Sequence, residues 1–366
     1  MFLKLAVKSL IDRKGAVSLS LVAMSISIAV LLCVEHIRYE VKENFTSTVS
    51  GVDLIVGART SNVNLLLYSV FRIGSPTNNI SWKSFENISA DPRVDWALPI
   101  SLGDSHKGYS VLGTSADYFE YFSYGKGHRL SFLQGRSFSE VFELVLGSEV
   151  AAREGYRIGD AIILAHGMSE VSFMLHDRHP FTVVGILKPT GTPVDQTVHI
   201  SLDGMVAIHS DWSDSGRGAT ASGNLIQEYN DKLKVEQITA FMVGLKTKLS
   251  IFNLQDEIKN YGEEPLTAIL PGVALAELWG FTRVLENSFL LVSIFVFTSA
   301  CIGMSAMLLS SIRERTREMK LLRIVGASPL FLFFLIELEA LLIALVGITL
   351  GLGLVVLSIF FFRDYL

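Results

Sequence analysis

The chain has 366 residues, half of them apolar, and a net charge of −5. No basic stripe breaks that balance, which argues against a nucleic-acid partner. Mean hydropathy is +0.43, high for a soluble protein, and both cysteines, Cys33 and Cys301, fall in apolar stretches, which excludes a disulfide framework or a Cys-based zinc site in the polar part.

In chain order, residues 1–14 come first. Leu3, Ala6, Val7, Leu10 and Ile11 share one helical face, with Lys4 and Lys8 beside it. This predicts an amphipathic helix lying along the cytoplasmic interface, its lysines reaching headgroups. A plain N-terminal extension of the next helix is the alternative. Ala16–Val34 carries no charge, and a helix needs about 20 apolar residues to cross a hydrocarbon core of about 30 Å. The charged front section and the missing small-residue cleavage site distinguish it from a signal peptide. Residues 15–38 are therefore assigned as the first transmembrane helix.

Residues 42–280 have ordinary globular composition, enough to bury a core. Val52–Val56, Ser110–Leu112, Glu143–Leu146, Ala161–Leu164, Phe181–Val184 and Phe241–Leu245 read as strands, and Trp82–Ala90 and Leu254–Tyr261 as helices. Together they predict an α+β domain. Ser210–Asn224, rich in Ser, Gly and Asp, reads as a loop. Asn64–Phe71 is apolar enough either to enter the core or to face a cavity or partner. From Gly272 a helix is expected to run as a stalk into a second membrane span, residues 281–312, whose Ser288–Ile312 stretch is uncharged.

Residues 313–328 form a short loop rich in arginine. Residues 329–362 give a third span, opened by Ser328 as N-cap and Pro329 at the first helical position. An unbroken helix over that length spans about 50 Å, so Glu337 and Glu339 are expected near the interface. Gly347 and Gly351 would permit close helix packing. Lys4, Lys8, Arg13 and Lys14 precede the first span, and Arg313, Arg315, Arg317, Lys320 and Arg323 follow the second. By the positive-inside rule both clusters are cytoplasmic and residues 42–280 lie outside.

The segment ERTREMKLLRIVGAS, Glu314–Ser328, reads as a short charged helix with a turn at Gly326. On physical grounds it is either a docking surface for a soluble partner or a solvated loop that only sets topology. It resembles the segment between the second and third membrane helices of the MacB/LolC/LolE/FtsX-like permeases, whose pattern runs roughly E-R-T-R-E-I-G-L-R-R-A-L-G-A-S. Glu314, Arg315, Thr316, Arg317, Glu318, Leu321 or Leu322, Arg323, Gly326, Ala327 and Ser328 match; Lys320 stands where the family often has glycine. LKLAVKSLIDRKGAVSLSLVAMSISIAV resembles the family's first amphipathic helix and span. ELVLGSEVAAREGYRIGDAIIL and FTVVGILKPTGTPVDQTVHISL resemble its external strands.

The resemblance implies an ABC transporter permease of the mechanotransmission type. Its fold would be α-helical transmembrane segments, three seen where the family has four, with a large α+β extracytoplasmic domain inserted between the first and second. The chain shown is expected to stop short of the fourth helix. Arg313, Glu314, Arg315, Arg317, Glu318, Lys320, Arg323 and Gly326 would dock a separate ABC ATPase subunit, which would hold the ATP and magnesium; this chain would bind no cofactor and catalyse nothing. Further partners implied are a second permease copy or paralogue, membrane lipids, and a periplasmic protein or substrate such as a lipoprotein or amphiphile. The site would be a bacterial inner membrane, with the large domain in the periplasm.

No G-x-x-x-x-G-K-[ST], G-x-S-x-G or H-E-x-x-H occurs. All but one of the eight histidines fall in residues 42–280, and His166, His176, His179 and His199 are the candidate zinc ligands. A zinc-linked uptake or delivery complex is therefore the alternative function, and a sensor with a cytoplasmic partner is a third.

Overall fold

A computed structural model describes residues 2–48, 50–166, 180–214, 234–314, 316–324 and 326–362. They form two compact units, one of Glu43–Gly280 and one of Met1–Lys42 with Phe281–Leu366. The chain passes between them within two helices, Lys14–Ser47 and Pro271–Glu314.

The Glu43–Gly280 unit is α+β and is built on an 11-stranded sheet. Its main path runs Leu266–Ile269, Leu54–Ala58, Ala240–Leu245, Val94–His106, Tyr109–Thr114, Thr197–Ser201, Glu143–Leu146, Phe181–Leu187 and Phe132–Gly135. Pairing is antiparallel except where Thr197–Ser201 meets Tyr109–Thr114 and Glu143–Leu146 meets Phe181–Leu187. Side chains alternate across a strand, and that alternation divides the core. Ile55, Leu98, Ile100 and Met242 enter one cluster, with Tyr118 and Phe122. Leu54, Val56, Phe241 and Val243 enter another, covered by Phe85 and Ile88 of helix Trp82–Ser89 and Leu254 and Ile258 of helix Ile251–Lys259. Strands apolar on both faces suit a sheet covered on both sides. A third cluster joins Val111, Leu144, Val183 and Val198 to Val150 of helix Ser148–Glu154 and Ile208 of helix Leu202–Asp214.

Two differences from the sequence expectations have physical causes, and the apolar segment Asn64–Phe71 takes the core position offered for it. The longest strand, Val94–His106, contains Pro99 and Gly103, which weaken a strand reading. It is paired along both edges, to Ala240–Leu245 and Tyr109–Thr114, and the Pro99 carbonyl accepts the Thr114 hydroxyl at 2.7 Å. Helix Leu202–Asp214 takes the first five residues of the expected Ser210–Asn224 loop, because Met205 and Ile208 anchor it on the sheet; residues 215–224 lie outside the described residues. Asn64–Phe71 is helical, its first turn capped by the Ser61 hydroxyl. It sends Leu65, Leu66, Tyr68 and Phe71 into the core. Phe45 stacks on Phe71 at 4.4 Å and meets Trp279 edge-on at 5.8 Å.

The other unit holds the leading helix Phe2–Asp12 and three helices that are long and apolar enough to cross a membrane. The candidate spans are Lys14–Glu40, Pro271–Ser310 and Pro329–Phe361. Most of their surface is not covered by protein, as expected where acyl chains are the solvent. The third long helix, Pro329–Phe362, meets the first through its glycines: a Cβ on Gly351 would lie 3.0 Å from Ile28 and from the Ser25 carbonyl. Small residues permit this backbone approach. The leading helix packs on the third long helix. Ala6 and Ser9 are buried, while Leu3, Val7 and Ile11 stay exposed beside Lys4 and Lys8.

Candidate functional site

Between the second and third long helices the chain makes one short helix, Thr316–Ile324. The break is local in origin. The Thr316 hydroxyl donates to the Arg313 carbonyl at 2.7 Å, turning the chain at the end of the preceding helix. At the other end Gly326 sits at φ +101°, a conformation side chains avoid, and its N–H donates to the Arg323 carbonyl at 3.1 Å. The Ser328 hydroxyl then accepts from the Phe331 N–H at 3.2 Å, capping the third long helix as its sequence predicts.

The candidate docking residues therefore lie on one short element and its two flanks. Arg313 and Glu314 end the second long helix, Arg317 and Glu318 lie in the first turn of the short helix, and Lys320 and Arg323 follow, both exposed. Arg315 lies outside the described residues. Leu321 is 61% exposed and Ile324 81%. Exposed apolar side chains beside arginine and lysine suit a protein partner with an acidic, partly apolar groove. Arginine also brings planar, bidentate donors to carboxylates.

One interaction went unread in the sequence. Arg13, at the turn between the leading helix and the first long helix, donates to the Glu339 carboxylate at 2.8 Å. It also donates to the Ser9 hydroxyl at 2.7 Å and the Ser9 carbonyl at 3.3 Å. Glu339 is buried against the leading turn, and Glu337 is exposed. By sequence Arg13 is only one of the basic residues that set topology. The available signal was an acid in a span with basic residues elsewhere to answer it, since buried charges are paired. A second pair, Arg38 and Glu286 at 3.1 Å, joins the first and second long helices.

The histidines do not assemble a metal site among the described residues, where no group of three or more His, Cys, Asp or Glu could hold an ion. His199 is fully buried between Tyr118 and Phe119. Its Nδ1 meets the Val145 carbonyl at 3.3 Å, so Nδ1 carries the hydrogen. Burial, with the nearby Arg72 guanidinium, pushes its pKa down to about 3. A ring sealed in the core is closed to an ion from solvent. His166 lies in a short strand against Val94–His106, its backbone opposite Asp104; His176 and His179 lie outside the described residues. His106 has both nitrogens occupied, by the Ile163 carbonyl at 2.8 Å and the Tyr156 hydroxyl at 2.9 Å.

Residues 17–261 match the family model of the MacB-like periplasmic core domain, and residues 290–365 that of the FtsX-like permease C-terminal domain. Among solved structures, the periplasmic region of MacB from Actinobacillus actinomycetemcomitans aligns over 66% of this chain and 95% of its own, at 11% identity and a TM-score of 0.38. The extracellular domain of YknZ, a noncanonical ABC-type transporter from Gram-positive bacteria, aligns over 60% and 98%, at 9% identity and a TM-score of 0.33. No curated protein matches.

Proposed function

Because the chain belongs to the MacB/FtsX-like family of ABC transporter permeases, we propose that it couples ATP hydrolysis by a separate ATPase subunit to movement of its extracytoplasmic domain. The observation that carries this reading is the exposed helix Thr316–Ile324, with Lys320, Leu321, Arg323 and Ile324 free to meet a partner. Arg313, Glu314, Arg315, Arg317 and Glu318 extend the same docking surface, and Gly326 sets the turn that ends it. The ATPase binds nucleotide and magnesium and does the hydrolysis; this chain contributes no catalytic group. Two permease copies, or this chain and a paralogue, sit together in a bacterial inner membrane with the large domains in the periplasm. Motion enters at the short helix and passes along Lys14–Ser47 and Pro271–Glu314, each of which supplies a membrane span. Helices transmit displacement because their backbone hydrogen bonds resist stretching. The work done outside is release or export of an envelope substrate such as a lipoprotein or an amphiphile.

The test is charge reversal on the docking helix. Arg315→Glu with Arg317→Glu, in the full chain expressed with its neighbours, is expected to reduce the co-purifying P-loop ATPase at least tenfold, as loss of two charge-assisted contacts implies. Retained assembly with retained stimulation of ATP hydrolysis would refute the docking role.

A further inference from the structure

Within the membrane-spanning unit, the first and second long helices leave an open groove of about 590 Å³. Ala16, Ala23 and Ser27 line one wall, and Phe295, Gly303 and Met307 the other. A Cβ on Gly303 would touch nothing within 4 Å. From Ala16 to Ser27 the first helix rises about 17 Å, and from Phe295 to Met307 the second rises about 18 Å. That is close to half of a hydrocarbon core of about 30 Å, the depth of one leaflet.

At its Ala16 and Met307 end the groove meets a second hollow of about 470 Å³, lined by Asp12, Arg13, Lys14, Gly15 and Ser310. Lys14 is exposed and has no ion pair among the described residues. Arg13 keeps its Nη2 on Glu339 and Ser9, while its buried Nη1 has no partner among the described residues. Lys4 and Lys8 stand exposed on the adjoining helix, whose bare Leu3, Val7 and Ile11 suit the boundary between headgroups and acyl chains. With Glu339 answering Arg13 and Asp12 beside Lys14, the excess positive charge comes from Lys4 and Lys8, and it makes the mouth favour an anion. A basic pocket between membrane helices is a recognised form of anionic headgroup site.

We propose that this groove binds an anionic phospholipid of the cytoplasmic leaflet, one acyl chain between the two helices and the phosphate at Lys14 and Arg13. A protein helix fits the groove less well, because it would need the full thickness of the core and would find charges at one end. The lipid fastens the mouth of the first helix to the second across a gap that protein atoms leave unfilled. The site does not depend on the motor-docking surface, and either can fail without the other.

The full chain is purified in mild detergent from vesicles of equal phosphatidylglycerol and phosphatidylcholine, and the lipid retained is measured by native mass spectrometry. Phosphatidylglycerol should be enriched on the order of fivefold for each cationic contact. Lys14→Glu should abolish most of that preference while leaving phosphatidylcholine retention unchanged. Gly303→Leu, which fills the groove away from the mouth, should reduce retention of both lipids. Equal retention of the two lipids by the wild type would overturn the proposal. So would Lys14→Glu and Gly303→Leu variants, shown folded by unchanged thermal unfolding, that retain lipid as the wild type does. Cross-linking of a cysteine at Ala23 to a protein helix rather than to lipid would assign the groove to a protein and also overturn it.

Discussion

Replacing Glu339 by Gln removes the carboxylate from the Arg13 guanidinium and leaves the helices in place. The Arg13 side chain is 14% exposed and that of Glu339 3%. Breaking a buried pair by removing one partner costs about 3–5 kcal/mol, because the other charge stays buried and unanswered. Arg13 retains two bonds to Ser9 and some exposure, which moves the expected cost below that range, to about 2–3 kcal/mol. At about 2–4 °C per kcal/mol for units approaching this size, thermal unfolding of the detergent-solubilised chain should fall by roughly 5–10 °C. The double variant Arg13→Met with Glu339→Met should recover much of that loss, since an apolar replacement of a buried pair is often neutral. A single variant within 1 °C of wild type, or a double variant worse than both singles added, would refute the claim that the pair is a buried tie between the leading turn and the third long helix.

Gly351→Leu should destabilise the chain by about 1–3 kcal/mol, the cost of overpacking a tight contact, read by the same unfolding assay. Gly353→Leu, whose Cβ would meet nothing within 4 Å, is the matched control and should be close to neutral. Gly326→Val places a β-branched residue at φ +101° and should cost about 1–2 kcal/mol of local strain. The expected result is faster backbone hydrogen exchange over 316–328 and weaker ATPase association. His199 is held neutral in the fold, with its pKa lowered from 6.5 to about 3. The unfolded chain binds that proton more readily, so stability falls as pH drops below 6.5 and continues to fall until about pH 3. By pH 5 the loss should approach 2 kcal/mol, and His199→Phe should flatten that slope if it folds; chemical denaturation at pH 7.5 and 5 measures it.

The sequence announces its membrane spans and orientation because uncharged runs and flanking arginines are one-dimensional signals. The apolar runs of strands Glu143–Leu146 and Ala240–Leu245 were visible for the same reason. Val94–His106 was hidden because its strand character comes from two neighbours, not from its own residues, which include Pro99 and Gly103. Ser328 and Gly326 declared the ends of their elements, since a cap and a left-handed turn are decided by one residue each. The acid Glu339 in a span signals that some cation answers it, but the sequence does not single out Arg13, far away in the chain, nor does it show the burial of His199 between Tyr118 and Phe119. The helix of Thr316–Ile324 was legible as a charged element; its residues alone leave a docking surface and a solvated loop level, and the family resemblance favours the first.

The most direct measurement of the proposed transmission is a distance between the extracytoplasmic domains of two copies of the chain while the ATPase binds nucleotide. Leu249 is 92% exposed and accepts a spin label as Leu249→Cys in a background with Cys33→Ser and Cys301→Ala. In the reconstituted complex with its ATPase, the separation between the two labels should shift by several ångströms when ATP is bound, and should stop responding when Arg315→Glu and Arg317→Glu are added. A distance distribution indifferent to ATP, with the ATPase demonstrably bound and active, would contradict force transmission through this chain.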